Sequence, residues 1–333
     1  MNPPATLVLT RADVARLVNL DDCIAAVEGA FRAHGEERAP APGVLGFHFP
    51  ETGGGFHVKA AGLALGRPYY AVKTNSNFSA NRERRGLPAI QGAIALFDGE
   101  DGRLLALMDS IEITILRTGA ATAVAARRLA RPESSTAAIC GCGNQGRVQL
   151  ESLCRVLPIR RVRAVDADPR RAEDFAGEMS KKLWIDVIAE PDLSRALAGA
   201  DVCVTCTPSR SPFVRREHVA PGTFVAAVGA DSEEKQEIDS DLVASATLVV
   251  DVLEQCASIG ELHHAIEAGR MSLESPPATL GEVLAGRRPG RVDDAEITIF
   301  DSTGTALQDV AAAAMAYERA VAAGAGSPVA LAG

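Results

Sequence analysis

The feature that most limits what this chain can fold into is a six-residue turn, Gly141-Cys142-Gly143-Asn144-Gln145-Gly146, set directly after the short apolar run TAAIC. Glycines at that spacing suit a junction between a strand and a helix. The first permits a tight turn, the second lets a pyrophosphate approach the backbone, and the third allows the helix to pack closely on the strand. The amino end of such a helix, with its free N–H groups and positive dipole, faces the phosphates. RVQLESL continues at helical spacing, and a second strand, RVRAV, follows. Strand, glycine turn, helix and strand in this order make a dinucleotide-binding unit, so Gly141, Gly143, Asn144, Gln145 and Gly146 are read as cofactor-binding residues.

The chain beyond the turn keeps the same rhythm. DVCVTC, TFVAAV, TLVVD and ITIFD are compact apolar strands with helical stretches between most of them, the alternation of a parallel sheet with crossover helices. Asp166 ends the second strand, where a carboxylate accepts the ribose hydroxyls and repels a 2′-phosphate. That favours NAD, while Arg170 and Arg171 leave room for NADP. Asp168 is the better cap for the helix starting near Pro169. Thr205, near the end of DVCVTC, and Pro208, just after it, are expected near the nicotinamide ribose.

Before the turn the period is different. Thr10 and Asp13 form a capping pair ahead of VARLV, and LDDCIAAVEGAFRAHGEER keeps an apolar face at helical spacing. VLGFHF, GFHVKAAGL, YYAVKTNSN, AIQGAIALF and RLLALM then read as short strands of a mostly antiparallel sheet, with DGEDG at a hairpin. By alternation His57 and Lys59 share one strand face, as do Tyr69, Ala71 and Lys73. IEITILRTGAATAVAARRLA forms a long helix that stops at Arg131-Pro132. The fold class is therefore α/β: a Rossmann dinucleotide-binding domain beside a mixed α+β domain.

Composition narrows the partners. At 333 residues and 47% hydrophobic, the chain can form two cores. A net charge of −9, with 4% aromatics and no basic stripe, argues against nucleic acid. No apolar run is long enough to span a membrane, and MNPPATLVLTRADV has neither the basic start nor the apolar block of a secretory signal, so a cytoplasmic protein is expected. Cys203 and Cys206 form a C-x-x-C, but strand alternation puts them on opposite faces, and no metal site is expected.

Several segments carry a resemblance: KTNSNFSANRERRGLPAIQGAIALFDGEDGRLLALMDSIEITILRTGAATAVAARRLARP, the turn GCGNQG, VGADSEEKQEID and FDSTGTALQDVAAA. In this order, across nearly the whole chain, they resemble the ornithine cyclodeaminase and mu-crystallin family. The resemblance implies a substrate-binding and dimerisation domain over 1–125, completed by a returning helix at about 304–325, with the Rossmann NAD-binding domain over 126–303 inserted between them. Residues 326–333 are expected to form a flexible tail. It also implies a homodimer joined through the N-terminal sheets, and NAD(H)-dependent hydride transfer at the α-carbon of an L-amino acid or its imine, as in amino-acid dehydrogenases and ketimine reductases. The alternatives within the family are an ornithine- or lysine-type cyclodeaminase that recycles its NAD, and a non-catalytic binding protein of the mu-crystallin type.

Residue by residue, Arg117 in ILRTGA, expected at the head of the long helix, matches the family's carboxylate-binding arginine, and a planar guanidinium suits that task. Thr118 reaches the cofactor phosphates or serves as a helix cap. Lys73 corresponds to the active-site lysine, on the carboxylate or the imine. Asp231 matches the catalytic aspartate that holds the amino group and acts as general base, with Lys235 as charge partner; the structural alternative is a cap for a helix in SEEKQEI. His57 and Lys59 are placed along the substrate pocket, and Asp301 and Ser302 match the segment bordering the nicotinamide. Gly43 and Ala89 stand where ornithine-specific members carry an arginine and a threonine. That argues against strict ornithine cyclodeaminase activity, although Lys59 or Arg38 can replace the lost charge.

Overall fold

Alternating apolar residues between positions 43 and 109 fold, as their period requires, into strands with one buried face. These are β3 (Gly54–Leu65), β4 (Arg67–Asn77), β5 (Ile90–Asp98) and β6 (Leu104–Asp109), with β2 (Gly43–Phe49), exposed along its whole length, at the edge, and β1 (Thr6–Leu9) preceding them all. The computed structural model describes residues 5–331 and forms two units: one holds the chain up to Arg117 together with the part from Thr305 onward, the other Thr118–Gly304.

In the first unit the strands make a seven-stranded sheet in the order Ser327–Val329, β1, β6, β5, β4, β3, β2. Neighbours from β2 to β6 are antiparallel, whereas β1 runs parallel to β6. The buried face carries Ala61, Leu63, Tyr69, Ala71, Ile94, Leu96, Ala106 and Met108. The helix Ala306–Ala323 lies across β3 and β4 and packs on the helix Leu20–Gly35; its buried alanines, Ala311 to Ala314, allow that close approach. The Thr10–Asp13 capping box is present.

The expected flexible tail is corrected in part. Ser327–Val329 pairs antiparallel with β1, Thr6 opposite Val329 and Val8 opposite Ser327. The physical reason is the edge of β1, whose second row of N–H and C=O groups would otherwise lack strand partners. Gly324 and Gly326, both at positive φ, turn the chain out of its last helix and back onto that edge.

The second unit contains β7 (Thr136–Cys140), β8 (Arg161–Val165), β9 (Asp186–Ala189), β10 (Val202–Thr205), β11 (Arg210–Val214), β12 (Phe224–Ala227), β13 (Gln236–Ile238), β14 (Thr247–Val250), β15 (Ala278–Thr279) and β16 (Thr298–Asp301). Eight of them form a parallel sheet in the order β15-β14-β16-β12-β10-β7-β8-β9, while β11 and β13 pair separately. From β7 the chain winds outward through β8 and β9, then returns to the other side of β7 as β10. In open parallel sheets the crevice beyond the carboxyl ends of strands at such a switch point is where ligands bind. Cys140 of β7 lies opposite Thr205 of β10, so the glycine turn and the loop after β10 open at that point. Among the described residues no helix is long and apolar enough to cross a membrane.

Candidate functional site

In the first unit, Lys59 and Lys73 are both buried and stand directly opposite each other across β3 and β4. Like charges in that relation ordinarily destabilise a sheet. What holds Lys73 is Asp309, in the first turn of the helix Ala306–Ala323: its Oδ2 and Oδ1 lie 2.7 and 2.8 Å from the Lys73 ammonium. The same carboxylate lies 3.1 Å from Arg117 Nε, and Arg117 Nη1 donates to Gln308 Oε1 at 2.6 Å. The side chains of Lys73, Arg117 and Asp309 are 3%, 6% and 1% exposed. Burial works to raise the Asp309 carboxyl, but the Lys73 and Arg117 charges outweigh it and hold it below its ordinary value. Burial, then the Arg117 guanidinium, push Lys73 down to about 7 against the pull of Asp309. Arg117 and, below about pH 7, a protonated Lys73 thus share one carboxylate, an arrangement that a bound anion would balance by favouring the charged lysine. His57 is half-buried, further along β3 and opposite Asn75.

Arg117 is two turns into the helix Ile111–Leu129 rather than at its head. Thr118, buried in the second unit, is therefore mid-helix, and its reading as a cap is corrected: the turn begins at Ser110, and Asp109 accepts from the Ile111 N–H.

In the second unit the glycine turn has the geometry its spacing predicts. Gly141 is at φ +107, and a Cβ there would meet the Cys206 carbonyl at 2.8 Å. At Gly146 a Cβ would strike the Gly141 carbonyl, whereas at Gly143 it would point into open space. Gly143 is the N-cap of the helix Asn144–Val156 and offers no side chain to its N–H groups. Asn144 is exposed and Gln145 half-buried in the first helical turn. Asp166 follows β8, and its carboxylate accepts from the Cys142 N–H at 2.8 Å and the Asp168 N–H at 3.0 Å. It is half-buried against the turn, and each oxygen keeps capacity for another donor. Asp168 caps the helix Pro169–Leu183, as expected. The turn, the helix end and Asp166 fit a dinucleotide: an open approach at Gly143, unclaimed N–H groups beyond it and a carboxylate for a ribose.

Thr205 is buried at the end of β10, and Pro208 is exposed in the loop that follows. Asp301 ends β16 and accepts from the Leu262 N–H at 2.9 Å; burial, foremost, pushes its carboxyl up to about 7. Ser302 donates to Asp251 at 3.3 Å. Asp231 follows β12 with its side chain 53% exposed, and Lys235 Nζ lies 2.5 Å from its Oδ1. SEEKQEI does not form a helix: 232–235 is a turn and Gln236–Ile238 is β13. Helix-favouring residues lose there because the Glu237 carboxylate is drawn inward to Thr207 and Gly229.

The sites thus fall into two groups. Arg117, Lys73 and Lys59 come together in the first unit, with His57 farther along the strand. The glycine turn, Asp166, Thr205, Pro208, Asp231, Asp301 and Ser302 lie at or just beyond the carboxyl ends of neighbouring strands in the second. Asp309 and Gln308 were not foreseen as site residues. Their signal was present in FDSTGTALQDVAAA: an acid and an amide inside a run that is otherwise alanine, valine and leucine.

A model of the ornithine cyclodeaminase/mu-crystallin family matches residues 5–324. The chain belongs to this family. It is 40% identical to the alanine dehydrogenase of Archaeoglobus fulgidus over 324 residues, 97% of this chain and 98% of that one. Of the solved structures, an archaeal alanine dehydrogenase dimer with bound NAD superposes with a TM-score of 0.92 at 40% identity, covering 97% of this chain and 98% of the other. The Δ1-pyrroline-2-carboxylate reductase of Thermococcus litoralis, in complex with NADH and L-proline, gives a TM-score of 0.91 at 33% identity, covering 97% and 100%.

Proposed function

We propose that this chain is an NAD(H)-dependent enzyme that moves hydride between the cofactor and the α-carbon of an L-amino acid or its imine, as a dehydrogenase or imine reductase. The observation that carries the reading is the buried Lys73–Asp309–Arg117 cluster, in which two basic groups share one carboxylate. An α-amino acid brings the anion such a cluster lacks, and the names of the relatives agree: alanine, proline and pyrroline-2-carboxylate all place a carboxylate on the carbon that bears nitrogen.

In this reading Arg117 binds the substrate carboxylate, with Lys73 beside it and Lys59 and His57 along the pocket wall. Asp309 holds both cations in place. Asp231 takes the proton that the substrate's ammonium must lose before its α-carbon can give up hydride. Gly141, Gly143, Asn144, Gln145 and Gly146 hold the pyrophosphate, Asp166 a ribose, and Thr118, Thr205, Pro208, Asp301 and Ser302 the remaining contacts. NAD, when bound, supplies the hydride acceptor. Positioning is the protein's main contribution. The enzyme is read as cytoplasmic and as a homodimer. Val44, Leu45, Phe47 and Phe49 of the edge strand β2 are each between 41% and 55% exposed, an apolar surface that a second copy would cover.

The test is to incubate the pure protein with NAD and each of ornithine, lysine, arginine and alanine, following NADH absorbance and free ammonia in one sample. Equal amounts of both are expected. Ammonia without NADH would instead mean that the substrate's own amine attacks the imine and the hydride returns, which is cyclodeamination. Neither product, together with no NADH oxidation by cyclic imines, would refute the proposal.

A further inference from the structure

Glu237, Glu261 and Asp301 are completely buried in the second unit. A buried carboxylate carries a large desolvation penalty that only hydrogen-bond donors reduce, and for Glu237 burial still pushes the carboxyl up against the donors it has. Its Oε1 accepts from the Thr207 N–H at 2.6 Å and the Thr207 hydroxyl at 2.7 Å, and its Oε2 accepts from the Gly229 N–H at 3.0 Å. Thr207 lies in the loop after β10. Gly229 lies in the loop after β12, two residues before Asp231.

The contact is tight enough to dictate its neighbour: a Cβ at Gly229 would run into the Glu237 carboxylate. The strand segment that carries Glu237 is fixed in turn. Its N–H and that of Ile238 donate to Glu261 at 2.8 and 3.2 Å. The Leu262 N–H next to Glu261 donates to Asp301 at the end of β16. A chain of carboxylates therefore ties together the loops after β10, β12 and β16, three strands that are neighbours in the sheet.

We propose that Glu237 is a positioning residue for the Asp231 loop, its carboxylate clamping the loop after β12 to the loop after β10. The inference rests on the reading of Asp231 as the general base. A displacement of about 1 Å at a reacting group can lower turnover roughly a hundredfold, so loosening this clamp should act on kcat rather than on binding.

The test is a comparison of Glu237→Gln, Asp231→Asn and the double variant. The amide keeps the volume but turns an N–H group against a donor, opening one arm of the clamp. Glu237→Gln is expected to lower kcat by about tenfold or more. The NADH dissociation constant by fluorescence titration and the KM for the amino acid should each stay within about twofold of wild type. Added to Asp231→Asn, it should lower kcat no further, because the group it positions is already disabled. Thr207→Val, which removes only the hydroxyl arm, gives the same pattern at smaller size and serves if Glu237→Gln does not fold. Wild-type kcat in Glu237→Gln, a parallel loss of NADH affinity, or an undiminished loss in the Asp231→Asn background would each overturn the proposal. Asp231→Asn at full turnover would instead remove the reading on which it rests.

Discussion

Replacing Asp309 by asparagine tests the buried cluster where it is most exposed to contradiction. The substitution keeps the volume and removes the charge that Lys73 and Arg117 share. Breaking a buried ion pair from one side costs roughly 3–5 kcal/mol, because the partner charges stay behind. Lys73 allows a sharper prediction through its titration. In the native protein it holds its proton only up to about 7, against an ordinary value of 10.5. The unfolded chain therefore binds more protons across that window, and Lys73 makes wild-type stability rise with pH between the two values and leaves it flat below 7. Without Asp309 the lysine loses its proton at lower pH still, so the variant should go on losing stability below 7. The slope is about 1.4 kcal/mol per pH unit, which makes the deficit widen by up to about 2 kcal/mol between pH 7 and pH 5.5. Urea unfolding at those two pH values measures this. Tyr69, Tyr70 and Tyr317 all belong to the first unit and Trp184, the single tryptophan, to the second, so tyrosine absorbance follows the unit that holds Asp309. A deficit of the same size at both pH values would refute the claim that Asp309 sustains the Lys73 charge.

Further outcomes follow from the same geometry. Substrate binding should draw a proton onto Lys73 at pH 8, where the free site leaves it mostly neutral; calorimetry in two buffers of different ionisation enthalpy checks this, and identical heats would contradict it. Arg117→Ala should raise KM for the amino acid by tenfold or more, as expected for a lost charge-assisted pair, while NADH titration stays unchanged. Gly146→Ala should destabilise the protein by roughly 1–3 kcal/mol and weaken NADH, since the added methyl meets the Gly141 carbonyl; a stable, tight-binding variant would show that the turn has room. Asp166→Ala should narrow the preference for NAD over NADP, and an unchanged ratio by direct titration would move the ribose contact elsewhere.

Much of this was legible in the sequence because it depends on local rules. The glycine turn needed only the spacing of Gly141, Gly143 and Gly146 after a strand, and strand alternation grouped Lys73 with Tyr69 and Ala71 and Lys59 with His57, though it did not reveal that both lysines are buried. Arg117 was placed by resemblance, and its depth within the helix was misjudged because Ile111 to Leu116 carry no obvious cap. Asp309 was hidden for a different reason: its partners Lys73 and Arg117 lie 236 and 192 positions earlier, and only the return of the last helix across β3 and β4 brings them together. The SEEKQEI segment misled because its composition favours a helix, while the long-range bonds of Glu237 to Thr207 and Gly229 hold it extended. The tail misled similarly, since nothing within 326–333 reveals that β1 has an open edge.

Hydride transfer at an α-carbon leaves an isotopic trace. The amino acid that turns over fastest with NAD would be supplied with deuterium at its α-carbon, and the nicotinamide product collected and weighed by mass spectrometry. The account predicts NADH one mass unit heavier, the deuterium lying on the nicotinamide ring; in a cyclodeamination the deuterium would instead reappear on the product's α-carbon. Product formed with the α-deuterium lost to water would contradict the account, because the carbon would then have given up a proton and not a hydride.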